Sequence, residues 1–443
     1  MTRLRPLPPV VDDFQGHAAR GVSKMSRHGA LAPFHIRSFR FQWPADLLTS
    51  WAFEMETLIL GWYVLVETGS VLLLTVVGAL GYGGTLIAPV IGVTSDRIGH
   101  RTVLAVMRAV YASVAAALMI LAVAGVLSPL IVCVLAAITG MVRPSDIGMR
   151  AALIADTMPF DQLTGAMGIS RTTSDSARIA GALLGAGLFA AFGVAAAYIV
   201  ITSFYGFGAL LTLGVERKAG EDGAGETTSA AARKGESSWR ELAEGLVQIW
   251  RSPSLLAIVW FAFLFNGTAF PITNGLLPYV AREIYHVDQT GLGYLVASFA
   301  CGALLGSLAV SRAATLIELP RLMIFAALAW YSLLLVFAQM HSLSGGFASL
   351  VLAGFAQSLS MVSHSVILLR ACKPRLRGRI MSVRTMAIYG LPLGLLAAGA
   401  LIGRIGFDAT ATLYAGIGLV STGAIALRWR SVLRRLNAAA DGG

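Results

Sequence analysis

The sequence TVLAVMRAVYASVAAALMILAVA, residues 102–124, contains a single charged side chain, Arg108. An α-helix needs about 20 mostly apolar residues to cross a bilayer, so this segment predicts one membrane span. The whole chain has the same character, because 56% of its 443 residues are hydrophobic and only 13% are charged. Soluble domains carry about 25% charged residues. The sequence therefore predicts a membrane protein with several spans.

The apolar segments form two groups of six. The first group is residues 46–66, 70–92, 102–124, 128–149, 165–190 and 193–214. The second group is residues 254–277, 289–310, 321–340, 346–368, 380–403 and 409–428. Residues 216–238, between the groups, are rich in Gly, Ala, Ser, Thr and charge and cannot bury enough apolar area to fold alone. We predict an all-α polytopic membrane protein whose twelve transmembrane helices form two six-helix bundles.

This assignment divides the chain into five parts. They are an N-terminal tail (1–45), a first bundle (46–214), a linker (215–253), a second bundle (254–428) and a C-terminal tail (429–443). Within the linker, residues 239–251 interleave Leu, Ile and Trp with charged residues. This pattern is typical of an amphipathic helix that lies on the membrane surface.

The basic residues predict the orientation. The net charge is +11, and nearly all of the 34 Lys and Arg residues lie in the tails and in alternate loops. Only Arg282 and Arg404 lie in the remaining loops. The positive-inside rule then places both termini in the cytoplasm. We expect a multi-pass protein of the inner (plasma) membrane, without a signal peptide, and we expect no nucleic acid partner.

The loop between the second and third segments reads Gly92-Val-Thr-Ser-Asp96-Arg97-Ile-Gly99-His-Arg101. In a chain of six plus six spans it resembles the signature loop of the major facilitator superfamily. The resemblance implies a transporter and not an enzyme, with a latch between the bundles in which an aspartate meets the positive end of another helix. The latch residues would be Gly92, Asp96, Arg97, Gly99, Arg101, Arg377, Gly378 and Arg379. The alternative is that these charges only anchor a short loop.

Three further segments narrow the resemblance. They are Arg240-Glu-Leu-Ala-Glu244-Gly245-Leu, Arg377-Gly378-Arg379-Ile-Met-Ser382 and Leu60-Gly61-Trp62. Together they resemble the macrolide-efflux and siderophore-exporter branch of drug:proton antiporters. The resemblance implies proton-coupled export of a small amphipathic molecule, by a monomer whose two halves expose a midplane site alternately to each side.

Charged residues inside the spans are the candidates for proton coupling. A charge at the bilayer centre costs roughly 2.5–3.5 kcal/mol on insertion scales, so such residues usually face a cavity or a partner. Glu54 and Glu56 point about 200° apart on a helix, so one of them is expected to face a central cavity and exchange a proton. The alternative is that both pair structurally with Arg108 or Arg178.

The fifth span adds a further group of charges. Arg171, Asp175 and Arg178 have helical spacing and can neutralise one another. Alternatively, Arg178 meets an anionic substrate or acts on a glutamate of the first span. The coupling candidates are therefore Glu54, Glu56, Asp175, Arg178 and Arg108. We interpret Arg143 and Asp146 as a gate or a helix-end pair.

Uncharged polar and aromatic residues inside the spans are candidates for lining a substrate cavity. They are Trp51, Tyr63, Asn266, Asn274, Gln357 and Tyr389. Pro271 is expected to kink the seventh span next to Asn274.

Other functions are less well supported by the sequence. None of the four lysines follows a glycine, so no phosphate-binding loop for ATP is present and a gradient must supply the energy. Uptake or facilitated diffusion of a polar metabolite, and a non-transporting sensor or scaffold, remain alternatives. Without metal-ligand or nucleophile-base spacing, we expect no enzyme, metal or cofactor.

Overall fold

The computed structural model describes residues 32–85, 87–216, 247, 250, 252–313, 318–371 and 387–428. Within these residues all regular structure is helical, and no β-strand occurs. The predicted amphipathic helix at 239–251 lies almost entirely outside the described residues, as do the C-terminal tail at 429–443 and residues 1–31 of the predicted N-terminal tail. Residues 37–45, assigned to that tail, belong to the first helix. The all-α, twelve-span architecture predicted from the sequence is confirmed.

The first bundle contains spans 1 to 6. Span 1 is Arg37–Thr68, span 2 runs through Val71–Leu80, Gly83–Thr85 and Ala88–Ile98, span 3 is His100–Val123, and span 4 is Pro129–Thr157. Spans 5 and 6 share the helix Phe160–Leu213, which is divided at Gly193. A 3-10 turn, Ala32–His35, precedes span 1.

The second bundle contains spans 7 to 12. Span 7 runs through Pro253–Leu264, Phe265–Ala269, Pro271–Gly275, Leu277–Tyr279 and Val280–Ile284. Spans 8, 9 and 10 are Gln289–Ala313, Leu319–Ala338 and Leu343–Ala371. Spans 11 and 12 share Ala387–Tyr389 and Gly390–Arg428, divided at Gly406.

Composition explains how these helices cross a membrane. Eight helices of the described chain are long and apolar enough to span a bilayer, and two of the eight contain the divisions at Gly193 and Gly406. Span 1 falls outside this set and carries Asp46, Glu54 and Glu56. Span 2 falls outside it because it is divided into shorter helices. Large apolar side chains such as Leu130 (75% exposed) point away from the bundles, as lipid contact requires.

Span 7 is the least regular of the described spans. Three of its five pieces, Phe265–Ala269, Pro271–Gly275 and Val280–Ile284, are π-helical. Pro271 has no N–H to donate to the preceding turn, so the wider turn accommodates it. The kink expected at Pro271 stays a prediction, and the structure shows π-helical turns on both sides of this position, which are frequent at functional sites.

Because the number of spans is even, Ala32 and Arg428 lie at the same end of the molecule, called here the near end; the opposite end is the far end. In the far half the two bundles touch closely. A Cβ added to Gly293 of span 8 would lie 2.5 Å from the Cβ of Ala186 in span 5. The Arg282 guanidinium of span 7 donates a hydrogen bond to the Leu65 carbonyl of span 1. These contacts hold the bundles together at the far end.

Candidate functional site

Two adjoining cavities lie between the bundles. The larger has a volume of about 250 Å³ and the smaller about 110 Å³. They share five lining residues from both bundles, which are Thr57, Tyr82, Arg143, Asn274 and Pro278. We call the two together the central cavity. Its charged residues and Asn274 lie near the middles of spans 1, 4, 5 and 7.

Four ionisable residues with formal charge line the central cavity. Glu54 and Arg178 line its larger part, Glu56 lines its smaller part, and Arg143 lines both. Two carboxylates thus face the same space as two guanidinium groups. The formal charges sum to zero when all four groups are ionised.

The two glutamates of span 1 have different surroundings. Glu56 is 4% exposed, and the Tyr205 hydroxyl of span 6 donates a hydrogen bond to its Oε2 at 2.8 Å. Glu54 is half-buried and has no ion-pair partner among the described residues. We expected only one of the two to face a central cavity, but both line it, Glu54 in the larger part and Glu56 in the smaller.

Arg143 reaches the central cavity from span 4. Its Nη2 donates to Thr57 Oγ1 at 2.9 Å, and its guanidinium lies 4.6 Å from the centroid of the Phe53 ring. The predicted pairing of Arg143 with Asp146 is wrong, because Asp146 pairs with Arg150 one helical turn further on. The Asp146 carboxylate is thus taken up by Arg150, and Arg143 contacts span 1 instead.

Arg178 reaches the central cavity from span 5 and contacts the second bundle. Its Nη2 donates to Asn274 Oδ1 of span 7 at 2.9 Å, and its guanidinium lies 5.8 Å from the centroid of the Phe299 ring in span 8. Asp175 pairs instead with the exposed Arg171 at 3.2 Å. The predicted cluster of three is therefore divided, since Arg178 turns towards the cavity.

Two glycines allow span 5 to pack closely against span 1. A Cβ on Gly181 would lie 2.8 Å from the Glu54 Cβ, and a Cβ on Gly185 would lie 2.8 Å from the Met55 Cα. Any larger residue would push the two helices apart, which is the usual role of small residues at helix crossings in membranes.

A second set of charges is buried within the first bundle, and sequence analysis missed half of it. Arg108, which is fully buried, donates to the carboxylate of Asp46 and to the hydroxyl of Thr212. Arg150 pairs with Asp146 and also lies 3.8 Å from Asp46. Arg108 therefore does not pair with either glutamate of span 1, contrary to the alternative considered for it.

A polar stripe in the sequence could have revealed this cluster. Gln42, Asp46 and Ser50 recur every four residues at the start of span 1 and so share one helix face. Gln42 Nε2 donates to the Arg150 carbonyl at 3.0 Å, and Arg150 Nη1 donates to Ser50 Oγ at 2.6 Å. The stripe faces span 4, and these hydrogen bonds join spans 1 and 4.

Most of the other proposed cavity residues lie elsewhere. The Trp51 ring packs against Phe204, and the Tyr63 hydroxyl donates to the Leu127 carbonyl at 2.9 Å. Asn266 donates to the Ala262 carbonyl of its own helix at 2.8 Å. None of the following lines either part of the central cavity: Trp51, Tyr63, Asn266, Gln357 and Tyr389. Asn274 does.

The proposed latch is described only in part. Gly99 has φ 86°, which favours glycine, and separates the end of span 2 from the start of span 3. The Arg101 guanidinium donates to the Leu213 carbonyl at the end of span 6. Gly92 lies in the helix Ala88–Ile98. The side chains of Asp96 and Arg97, and residues Arg377, Gly378 and Arg379, lie outside the described part of the chain.

Within the described residues no group of three or more His, Cys, Asp or Glu side chains is placed to hold a metal ion. Both bundles line the central cavity near the middle of the membrane. At such a place, movement of one bundle against the other can expose a bound solute first to one side of the membrane and then to the other.

Comparison with protein families agrees with this architecture. The model of the Major Facilitator Superfamily matches the chain over residues 45–288 and again over residues 259–442. No curated protein gives a sequence match.

Solved structures share the fold at low sequence identity. A POT family transporter in complex with a thioalcohol-conjugated peptide has a TM-score of 0.70 at 12% identity, over 90% of this chain and 96% of that chain. The nucleoside transporter NupG has a TM-score of 0.63 at 15% identity, over 87% and 98%. The human organic anion transporter MFSD10 has a TM-score of 0.60 at 17% identity, over 88% and 99%.

Proposed function

The chain belongs to the Major Facilitator Superfamily and is a multi-pass membrane transporter, and we propose that it couples proton movement to the passage of a small amphipathic solute through the central cavity. The transport cycle would be alternating access, in which the two bundles rock about the cavity. The energy would come from the proton gradient.

The observation that carries this proposal is the position of Glu54. It is the one carboxylate that lines the larger part of the central cavity, and it has no ion-pair partner within the described chain. Gain or loss of a proton there changes the charge of the solute site by one unit. One proton that crosses 100 mV supplies about 2.3 kcal/mol, enough for roughly a 50-fold solute gradient.

We also propose the orientation of the protein and the parts that move during the transport cycle. The near end would face the cytoplasm of a cell whose inner (plasma) membrane holds the protein, with both tails and the linker on that side. Residues 46–214 and 254–428 would move as two units in a monomer. Asp96 would latch them through residues 377–379 when the near end closes.

For the direction of transport we propose export, supported by the resemblance of three short segments to macrolide and siderophore exporters. Uptake is a second candidate, and one observation favours it. Arg143 and Arg178 bring two positive charges to the cavity, so protonation of Glu54 strengthens the attraction for an anion. A proton and an anion would then bind together and move in the same direction.

The test is a flux assay in proteoliposomes that contain a pH-sensitive dye and an internal solute. The panel would hold hydrophobic cations, neutral amphiphiles and organic anions. Solute that leaves in exchange for protons acidifies the interior, whereas solute that leaves together with protons makes the interior alkaline. The sign of the pH change therefore distinguishes antiport from symport.

Glu54→Gln is expected to abolish the solute-induced pH change, because it removes the exchangeable proton. Glu67→Gln, at the exposed far end of the same helix, is the matched control and should transport normally. The proposal is wrong if no solute moves protons through the folded protein, or if Glu54→Gln and Glu56→Gln both leave the pH change intact.

A further inference from the structure

The geometry of the central cavity points to the chemical class of its solute. We propose that Arg143 and Arg178 form a binding site for an anionic group, so that the transported molecule is a small amphipathic anion. This inference rests on the proposed function only in taking the central cavity as the solute site. It does not depend on the coupling ion or on the direction of transport.

The first argument concerns the present partners of the two arginines. Arg143 donates to a threonine hydroxyl, and Arg178 donates to an amide oxygen of Asn274. Both partners are neutral, as are the aromatic rings beside them. Within the described chain no carboxylate lies within 4.0 Å of either guanidinium. A guanidinium has five N–H donors, and each arginine uses one of them in a hydrogen bond to a described residue.

The second argument compares these arginines with two others in the same bundle. Arg108 and Arg150, which lie away from the central cavity, each meet an aspartate directly. A buried charge normally has such a partner, because an unpaired charge in a low-dielectric setting is costly. Arg143 and Arg178, which are half-buried at the cavity, have no carboxylate within 4.0 Å among the described residues, and Glu54 and Glu56, which line the same cavity, lie farther away. An anionic solute would supply the missing partner.

The third argument is the charge balance of the larger part of the cavity. Its lining contains one carboxylate, Glu54, and two guanidinium groups. Glu56 belongs to the smaller part and accepts a hydrogen bond from Tyr205. Arg143 also lines the smaller part, so the charges of the whole central cavity balance and the positive excess is confined to the larger part, where apolar walls strengthen its attraction for anions.

The shape of the cavity restricts the rest of the solute. Apolar side chains line the wall beside the charges, and these are Leu58, Leu277, Leu292 and Val296. The two parts of about 250 and 110 Å³ put the central cavity at the lower end of the roughly 300–1,000 Å³ of sites that take drug-sized ligands. The site therefore fits a small molecule with one anionic end, such as a carboxylate, and a short apolar body.

The experiment measures the electric field of the cavity and needs no knowledge of the natural solute. Cys133, Cys301 and Cys372 are first replaced by serine, and Val296→Cys then places a single thiol on the apolar wall. In detergent, this thiol is treated with an anionic and a cationic methanethiosulfonate of similar size, the sulfonatoethyl and trimethylammonioethyl reagents. Val126→Cys, on the exposed loop between spans 3 and 4, gives the reference ratio of the two rates.

We expect the ratio of anionic to cationic rate constants at position 296 to exceed the reference by about 10-fold or more, the scale on which a charged cleft concentrates counter-ions. Arg143→Gln or Arg178→Gln should lower the ratio several-fold, while Arg178→Lys should keep most of it because the charge remains. Arg171→Gln is the matched control, since Arg171 lies on the same helix but is 79% exposed, and it should leave the ratio unchanged.

Three outcomes would overturn the proposal. They are a faster cationic reagent at position 296, a ratio equal to the reference, or a high ratio that both arginine variants leave intact. Failure of the proton-flux assay is a separate result, because thiol modification requires neither protons nor transport. If the cavity favours the anionic reagent but no proton flux is measured, the proposal of an anionic solute stands and only the proposal of proton coupling is rejected.

Discussion

At the scale of single residues, the first bundle uses its arginines in two ways. Arg108 and Arg150 are buried with aspartates between spans 1, 3 and 4, where they join helices. Arg143 and Arg178 lie against neutral partners at the central cavity, where an anion can reach them. All four residues are arginines, so the difference in their partners arises from where each one lies on its helix.

The pairing of Arg108 with Asp46 should be measurable as stability. Arg108→Met is expected to lower the melting temperature strongly, because loss of one partner of a buried pair typically costs about 3–5 kcal/mol. Arg108→Met combined with Asp46→Leu should recover a large part of the loss, since no unpaired charge remains. Thermal unfolding of the purified protein in detergent is the measurement.

Arg321→Met provides the control for this prediction. Arg321 pairs with Glu318 at 2.9 Å, but both side chains are largely exposed, and exposed pairs contribute about 0–1 kcal/mol. A loss as large as that of Arg108→Met would show that the buried pair has no special role, and so would a double variant less stable than the single one.

At the scale of helices, two glycine turns have the same role in the two bundles. Gly193 (φ 78°, ψ −179°) divides spans 5 and 6, and Gly406 (φ 79°, ψ 171°) divides spans 11 and 12. Only glycine adopts this backbone conformation readily. Each pair of helices is therefore connected by one residue and no loop, at equivalent places in the two halves.

Alanine at either turn should destabilise the protein by about 1–3 kcal/mol, the usual cost of such a backbone conformation for a residue with a side chain. Space is not the cause, because a Cβ at Gly193 or Gly406 would meet nothing within 4 Å. Gly187→Ala and Gly403→Ala, which also have open space but helical backbone, should be neutral or slightly stabilising. Equal melting temperatures for all four variants would contradict the prediction.

At the scale of the whole molecule, the bundles approach each other most closely through small residues in the far half. A Cβ on Gly399 of span 11 would lie 2.0 Å from Thr75 Oγ1 of span 2, and Gly293 meets Ala186 in the same manner. These contacts join spans of different bundles. They can form only when the far end is closed, so they favour that conformation.

Gly399→Leu and Gly293→Leu are therefore expected to shift the population towards conformations with the far end open. Spin labels at Val126 and His341, one on a far loop of each bundle, should show a longer distance by double electron–electron resonance. Gly302→Leu is the control, because its Cβ would meet Val351 within the second bundle at 1.9 Å. It should lower stability without lengthening the distance, and a distance unchanged in all three variants would exclude a role for these glycines.

The architecture was predictable because the bilayer imposes it. An apolar segment of about 20 residues has few alternatives to a membrane helix, and the positions of twelve such segments are visible in the sequence. Helix ends were less predictable. Span 1 begins at Arg37, well before its apolar segment at 46–66, because Phe39 and Gln42 are buried against the rest of the bundle.

The candidate site was only partly accessible to sequence reasoning. Helical spacing predicted that Glu54 and Glu56 point in different directions, since the angle between them is a local property, but both line the central cavity, one in each part. It could not show which way span 1 is rotated, so it did not separate Trp51, which packs on Phe204, from the residues that line the cavity. The pairing of Asp46 with Arg108 joins spans 1 and 3, and no local pattern reports such a contact.

The two glycine turns have a practical consequence for work with this protein. A connection of one residue offers almost no surface to an antibody fragment and no room for an inserted tag. On the far face, spans 1 and 2 are joined by only Gly69 and Ser70, and the longer described connections, at residues 124–128, 285–288 and 339–342, are the exposed segments that such a reagent can bind. A synthetic binder selected against that face should therefore recognise these three segments, and a peptide epitope is best inserted into the first of them.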